Sequence, residues 1–320
     1  MTIQTAAFAT YGAIGNREDL ADAIYDISPT ETPFMSAIKR GKATAVLHEW
    51  QTDVLAAASS TNAVLEGDVV VGTATTPTTR QQNYCQISRK DAVVTGTQEK
   101  VDHAGRASEM AYQMARRAKE LKRDMEAIIT GNQARVTGTT AVARKLRSLE
   151  AWLTSNVSRN TGATATKGKS ATSSTGAATD ASALRTFTEL QLKTVLESME
   201  TNGGEPTTLM LGVHSKTVFS GFTGRAQSQQ QIAGNVVNAG ADIYKSDWGT
   251  IKVVTNKFMR ARSAIAFDPK YAAVAYLRPF MKSDLAKNGD AERKFILAEY
   301  TLEVRNEKAF GVIADLKTSS

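Results

Sequence analysis

The stretch from Asp102 to Gly131 constrains this chain more than any other. Its apolar residues are Ala107, Met110, Ala111, Met114, Ala118, Leu121, Met125, Ile128 and Ile129. At ~100° per residue all of them fall within roughly a 100° arc, the stripe of a helix lying on a core. Glu109, Arg116, Lys119, Glu120 and Arg123 occupy the opposite face. Asp102 is the expected cap and Gly131 the expected stop. About 29 residues at ~1.5 Å each make a rod of roughly 43 Å. An average helix has about three turns. Periodicity alone fits an ordinary core helix of an α/β protein as well as a spine crossing a flat molecule. The flanking segments decide between them.

Upstream, residues 1–16 are small and polar, without periodicity, and read as an extended arm or a tail. Arg17–Ile27 places Leu20, Ile24 and Ile27 on one side of a short helix. Pro29 and Pro33 then keep the next segment from being a helix or a central strand. Phe34, Met35 and Ile38 follow as apolar anchors, so the arm lies against something else. Thr44–Val54 alternates as a strand through Val46, His48 and Trp50, and Asn83–Gln98 reads as its return. Between them lies an Ala, Ser, Thr and Gly-rich stretch. A two-stranded excursion is marginal alone in water, so 44–98 is expected to rest on a neighbouring subunit.

Downstream, Ala141–Leu153 suggests a second helical piece. In 160–183 every residue except Asn160, Lys167, Lys169 and Asp180 is Gly, Ala, Ser or Thr. That composition builds no core, so it predicts a loop. Thr188 caps a helix to about Met199, stopped by Asn202-Gly-Gly204. Strands are expected at 208–211, 241–246, 250–255, 263–267, 272–278, 294–305 and 309–316. A short helix is expected at 215–222 and a glutamine-rich loop at 224–240.

The totals exclude several classes. Cys85 is the sole cysteine, so there is no intrachain disulfide. No stretch approaches 18 apolar residues, and Met1–Asn16 lacks the regions of a signal peptide. The net charge of +7 favours a polyanionic neighbour such as nucleic acid. No run of five Lys/Arg residues marks a dedicated DNA-binding arm.

The search for chemistry returns little. Gly162–Ser170 resembles a phosphate loop with one residue too many between its glycines. His48, His103 and His214 have no zinc-ligand spacing, so no metal or cofactor is expected. A nucleophile at Cys85 has no supporting signature. The dense basic patch is Arg116, Arg117, Lys119, Lys122 and Arg123. It is a solvated helix face offset by Glu120, Asp124 and Glu126, or a face turned to an acidic neighbour or packaged DNA.

Five stretches together resemble a known family. They are Ile27-Ser-Pro…Thr32-Pro-Phe34; Glu49-Trp50…Asp53…Leu55 with Glu66-Gly67; and Asn83-Tyr-Cys-Gln-Ile87 with Thr95-Gly-Thr-Gln98. The others are Glu120-Leu-Lys-Arg-Asp…Glu126 and Leu277-Arg-Pro…Leu285-Ala-Lys-Asn-Gly-Asp290, continuing to Glu299–Asn306. In this order they are similar to the major capsid proteins of tailed bacteriophages with the Hong Kong 97-like fold, in the SU-ten subfamily. The resemblance implies an α+β fold with an N-terminal arm (1–43) and an extended loop, or E-loop (44–98). It also implies a peripheral domain holding the spine helix (99–185), an axial domain (186–250) and returning peripheral strands (251–320). The low-complexity loop at 160–183 departs from the pattern.

By the same resemblance, subunits form hexamers and pentamers that close an icosahedral shell around double-stranded DNA, contacted non-specifically and without membrane. The implied location is the virion, after assembly in the bacterial host cytoplasm. Portal, scaffolding and decoration proteins are the implied partners. No long charged helical N-terminal region resembles a cleaved scaffolding domain, so scaffolding is expected to be a separate protein or to have been removed before this numbering. Assembly residues implied are Pro29, Pro33, Phe34, Trp50, Asp53, Glu66, Asn83, Arg116, Arg117 and Arg123. The alternatives are an encapsulin-like nanocompartment shell holding cargo protein, and a soluble α/β enzyme using Cys85.

Overall fold

A computed structural model of the chain describes residues 28–69, 72, 75–103, 105–162, 176–222 and 242–319. The expected arm at 1–16, the helix at 17–27 and the glutamine-rich loop at 224–240 fall outside these residues. So does most of the phosphate-loop-like run.

The long helix, α3, spans Glu109–Ile129. It is about 32 Å long at ~1.5 Å per residue, shorter than its pattern suggested. Gly105 sits at φ +73°, a left-handed turn that breaks any helix begun at Asp102. The cap is Ser108, whose hydroxyl accepts from Ala111 N–H. Residues 96–100 form a separate short helix, α2, capped by Thr95. Glu99 ties the two together by accepting from Ser108 Oγ (2.6 Å) and Met110 N–H (2.9 Å). Met110, Met114, Leu121, Met125 and Ile129 are buried as the stripe requires. Ala107 and Ala111 are exposed, and Glu109, placed on the outer face by periodicity, is buried and paired with Arg106.

Helix α3 packs on a four-stranded sheet in the order β1-β10-β11-β4. These strands are β1 Lys39–Lys42, β4 Gln86–Thr95, β10 Ala272–Asp284 and β11 Ala291–Val304. The end of the segment expected as arm is thus an edge strand, β1, pairing in parallel with β10. Just before it, Pro33–Ala37 forms a single helical turn, α1. Two prolines had argued against a helix there, yet Pro33 sits at the first helical position, where a missing N–H costs nothing.

The excursion is also built differently from expectation. Strands β2 (Leu47–Thr52) and β3 (Thr79–Tyr84) pair as an antiparallel hairpin. Strand β4, expected as the hairpin's return, pairs with β11 instead. Of the expected helical piece at 141–153, only Leu149–Trp152 (α4) is helical.

A second sheet of six strands runs β5-β12-β9-β6-β8-β7. In chain order these are β5 Val157–Ser158, β6 Thr208–Leu211, β7 Ile243–Ser246, β8 Gly249–Thr255, β9 Ala264–Phe267 and β12 Phe310–Ile313. Its period-2 alternation splits two cores. Met210, Ile265, Phe267, Phe310 and Val312 join the α3 core. Leu209, Leu211, Ala264, Ala266 and Ile313 face a second core with α5 (Glu189–Thr201) and α6 (Val213–Ser220). Helix α5 begins with a complete Thr188/Gln191 capping box. It crosses β12 at Gly311, where a Cβ would overlap Val195 and Met199.

Candidate assembly interface

Two segments, residues 28–38 before β1 and the β2–β3 hairpin, are both held by buried polar groups. The first root is at Glu126, on α3 and fully buried. One carboxylate oxygen accepts from Phe34 N–H (2.7 Å) and Asn256 Nδ2 (2.7 Å), the other from Met35 N–H (2.9 Å). The carboxylate therefore serves as the missing cap of α1, whose Thr32 makes no side-chain cap. Phe34 is fully buried, edge-on to Phe267 at 5.2 Å between ring centres. Glu126 does not offset the basic face, as the sequence had suggested.

Desolvation dominates this carboxyl and raises its pKa, against the lowering effect of its three donors. A folded-state value above the ordinary one, ~4.3, makes the group's contribution to stability fall as pH rises through the interval between them. The melting-temperature advantage of wild type over Glu126→Gln should therefore grow as pH falls from neutral towards ~4.3. A difference that stays flat, or shrinks, in that series contradicts this reading.

The hairpin root is held by four side chains. Buried Asn83 donates to Leu302 C=O (2.8 Å) and Arg147 C=O (3.2 Å), and accepts from Arg147 N–H (2.8 Å) and Tyr84 N–H (3.0 Å). Trp50 Nε1 donates to Val304 C=O (3.0 Å), and its ring lies 5.6 Å from that of Trp152. The Arg147 guanidinium covers Trp152 at 4.4 Å. Burial pushes Arg147 down to about 10, so it stays charged at neutral pH. His48 pairs with Glu303 (3.3 Å), and that hydrogen bond helps hold the Glu303 carboxyl below its ordinary range.

Beyond this root the picture reverses. Val54, Leu55, Val64, Leu65 and Val69 are 74–93% exposed. Asp53 and Glu66 beside them are exposed as well. Five large apolar side chains are thus left in water beyond the root.

The ten residues proposed from sequence thus divide. Asp53 and Glu66 are at the free tip, and Pro29 is exposed. Phe34 and Asn83 are wholly buried in their own subunit, and Trp50 is largely so. Pro33 starts α1. Arg116 and Arg117 both pair with Glu120, Arg117 at 2.6 Å. Arg123 lies over Phe258 at 5.1 Å. Glu126, Arg147 and Asn256 were missed as anchors, because nothing local distinguishes them.

The low-complexity loop has firm flanks. Asn160 Nδ2 donates to Ala183 C=O, and Asn132 exchanges two hydrogen bonds with Ala178. Buried Asp315, at φ +61°, accepts from Asn160 and Ala181 N–H groups. Behind it, buried Glu150 takes ion pairs from Arg159 and Arg260.

Cys85 is buried, and its Sγ donates weakly to Ala45 C=O. Burial, reinforced by the Glu299 charge, pushes its pKa up to about 11. His48 pairs with Glu303, and among the described residues the thiol's hydrogen-bond partner is the Ala45 carbonyl. In the native protein it should react with a thiol reagent at least about tenfold more slowly than in denaturant; equal rates would show an accessible thiolate. Among the described residues no cluster of His, Cys, Asp and Glu suits a metal ion, and no helix is long and apolar enough to cross a membrane.

Two solved capsids share this architecture. The capsid of a native GTA particle matches with TM-score 0.65 at 10% identity, covering 99% of this chain and 100% of that one. The cyanophage A-1(L) capsid matches with TM-score 0.65 at 11% identity, covering 95% and 98%. The fold is therefore that of a tailed-phage capsid subunit, Hong Kong 97-like in class. The major capsid protein of Escherichia phage Phieco32 is 28% identical over 96% of each chain. The family model of the SU10 major capsid protein matches residues 3–317, and the chain belongs to that family. Its role is that of a phage major capsid protein, which decides against the nanocompartment alternative.

Proposed function

We propose that the subunit assembles into hexamers and pentamers of an icosahedral head, with the β2–β3 tip lying on a neighbouring copy. The observation that carries this is the contrast within the hairpin: a root fixed by buried hydrogen bonds and a tip with five exposed large aliphatics. Burying an exposed Leu or Val yields about 1.5–3 kcal/mol. Each tip therefore supplies enough free energy to hold a neighbour, and head-to-tail contacts of this kind close into rings. Asp53 and Glu66 form a polar rim, and Pro29 belongs to the exposed arm.

The outer surface of α3, with Arg116, Lys119 and Lys122 exposed, suits non-specific contact with the phosphates of packaged double-stranded DNA. Arg117 and Arg123 support that face through Glu120 and Phe258. Portal, scaffolding and decoration proteins are the expected partners, and assembly takes place in the bacterial host cytoplasm. Negative-stain electron microscopy of the protein expressed with its scaffold tests the reading. Closed shells or ring-shaped capsomers are expected. A subunit that stays monomeric under those conditions overturns it.

A further inference from the structure

We propose that the cavity at the start of α6 binds an oxyanion of the phosphate class. The cavity, ≈ 210 Å³, lies in the second core, away from the hairpin and from α3. Phe187 and Val218 form its apolar wall. Its other side chains are all neutral hydrogen-bonding groups or cations, and no Asp or Glu lines it.

Three observations converge on an anion. Helix α6 opens at Gly212, which has no side chain to cap it. The amides of Val213, His214 and Ser215 find no acceptor among the described residues. They carry the positive end of the helix dipole. Next, Ser215 is 1% exposed, lines the cavity, and its Oγ has no hydrogen-bond partner among the described residues. A buried hydroxyl left without a partner is costly, and an accepting ligand removes that cost.

Finally, Lys317 is set in place by its backbone. Its N–H donates to Arg185 C=O (2.9 Å), and Arg185 is bridged in parallel to Leu316. This puts Lys317 beside Thr186, which with Ser319 adds hydroxyl donors to the cavity. A lysine, three hydroxyl side chains and the first turn of a helix at one cavity suit a ligand with several acceptor oxygens. That ligand is a free phosphate, or a phosphate projecting from a DNA backbone, since the cavity is too small for a duplex.

The test compares melting of the full-length protein in phosphate and in chloride at matched ionic strength. Wild type should melt roughly 2–4 °C higher in phosphate. Lys317→Ala and Ser215→Ala should lose that increment. Lys317 is exposed, so its variant should melt normally in chloride. No increment in wild type, or one that both variants keep, overturns the proposal. A short DNA duplex that reproduces the increment in wild type and not in Lys317→Ala assigns the site to backbone phosphates. A duplex without effect assigns it to free phosphate, and either result upholds the class.

Discussion

Replacing Leu55 and Leu65 together by Asp should abolish closed shells while leaving the melting temperature of the unassembled subunit unchanged. Both side chains are at least four-fifths exposed in the subunit, so the substitution removes nothing from its core. Each forfeits about 1.5–3 kcal/mol of burial at the contact. Together they weaken it at least 100-fold, at about 1.4 kcal/mol per decade. Desolvating two new carboxylates adds to the loss. Size-exclusion chromatography beside negative-stain microscopy checks it. Normal shells from the double variant would mean that the tip is not what holds the neighbour.

Asn83→Ala should have the opposite signature, a loss in the subunit itself. It strips two buried carbonyls and two amides of their partner at the hairpin root. Orphaned buried groups cost about 1–3 kcal/mol each, partly relieved by relaxation, and a total near 3–4 kcal/mol is expected. Urea unfolding of the unassembled protein measures it. A loss under about 1 kcal/mol would show that water readily replaces the amide. Root and tip variants thus separate folding from assembly within one hairpin.

Elements governed by local chemistry were legible in the sequence. Helix α5 is an example: its Thr188 cap and Asn202-Gly203-Gly204 stop are both signals within a turn of its ends. The stripe of α3 was legible too, but its start was not. Gly105 acts through a left-handed backbone angle, which no periodicity reveals. Alternation identified β4 as a strand and could not say which partner it takes, since a strand pattern fixes a face and not a neighbour.

The anchors were the least legible part. Glu126 lies about 60° past the edge of the α3 stripe at ~100° per residue, among residues that face water in an isolated helix. It is buried because α1 covers that extra strip, a contact spanning 92 positions. Asn83 and Arg147 became a site only once chain segments 64 residues apart met. The resemblance of the five stretches to a capsid family supplied the fold class, which such long-range contacts hide.

The Glu126 junction has a mechanical consequence. One carboxylate gathers the base of the arm at Phe34 and Met35, the rod α3, and Asn256 at the end of β8. A pull on the arm is therefore shared between a helix and the second sheet rather than taken by one strand edge. The Phe34 and Met35 hydrogen bonds both end on this carboxylate, so release of the segment from it requires both to break. In a closed shell stretched by its contents, hoop tension entering through the arm would be dispersed across both cores of the subunit.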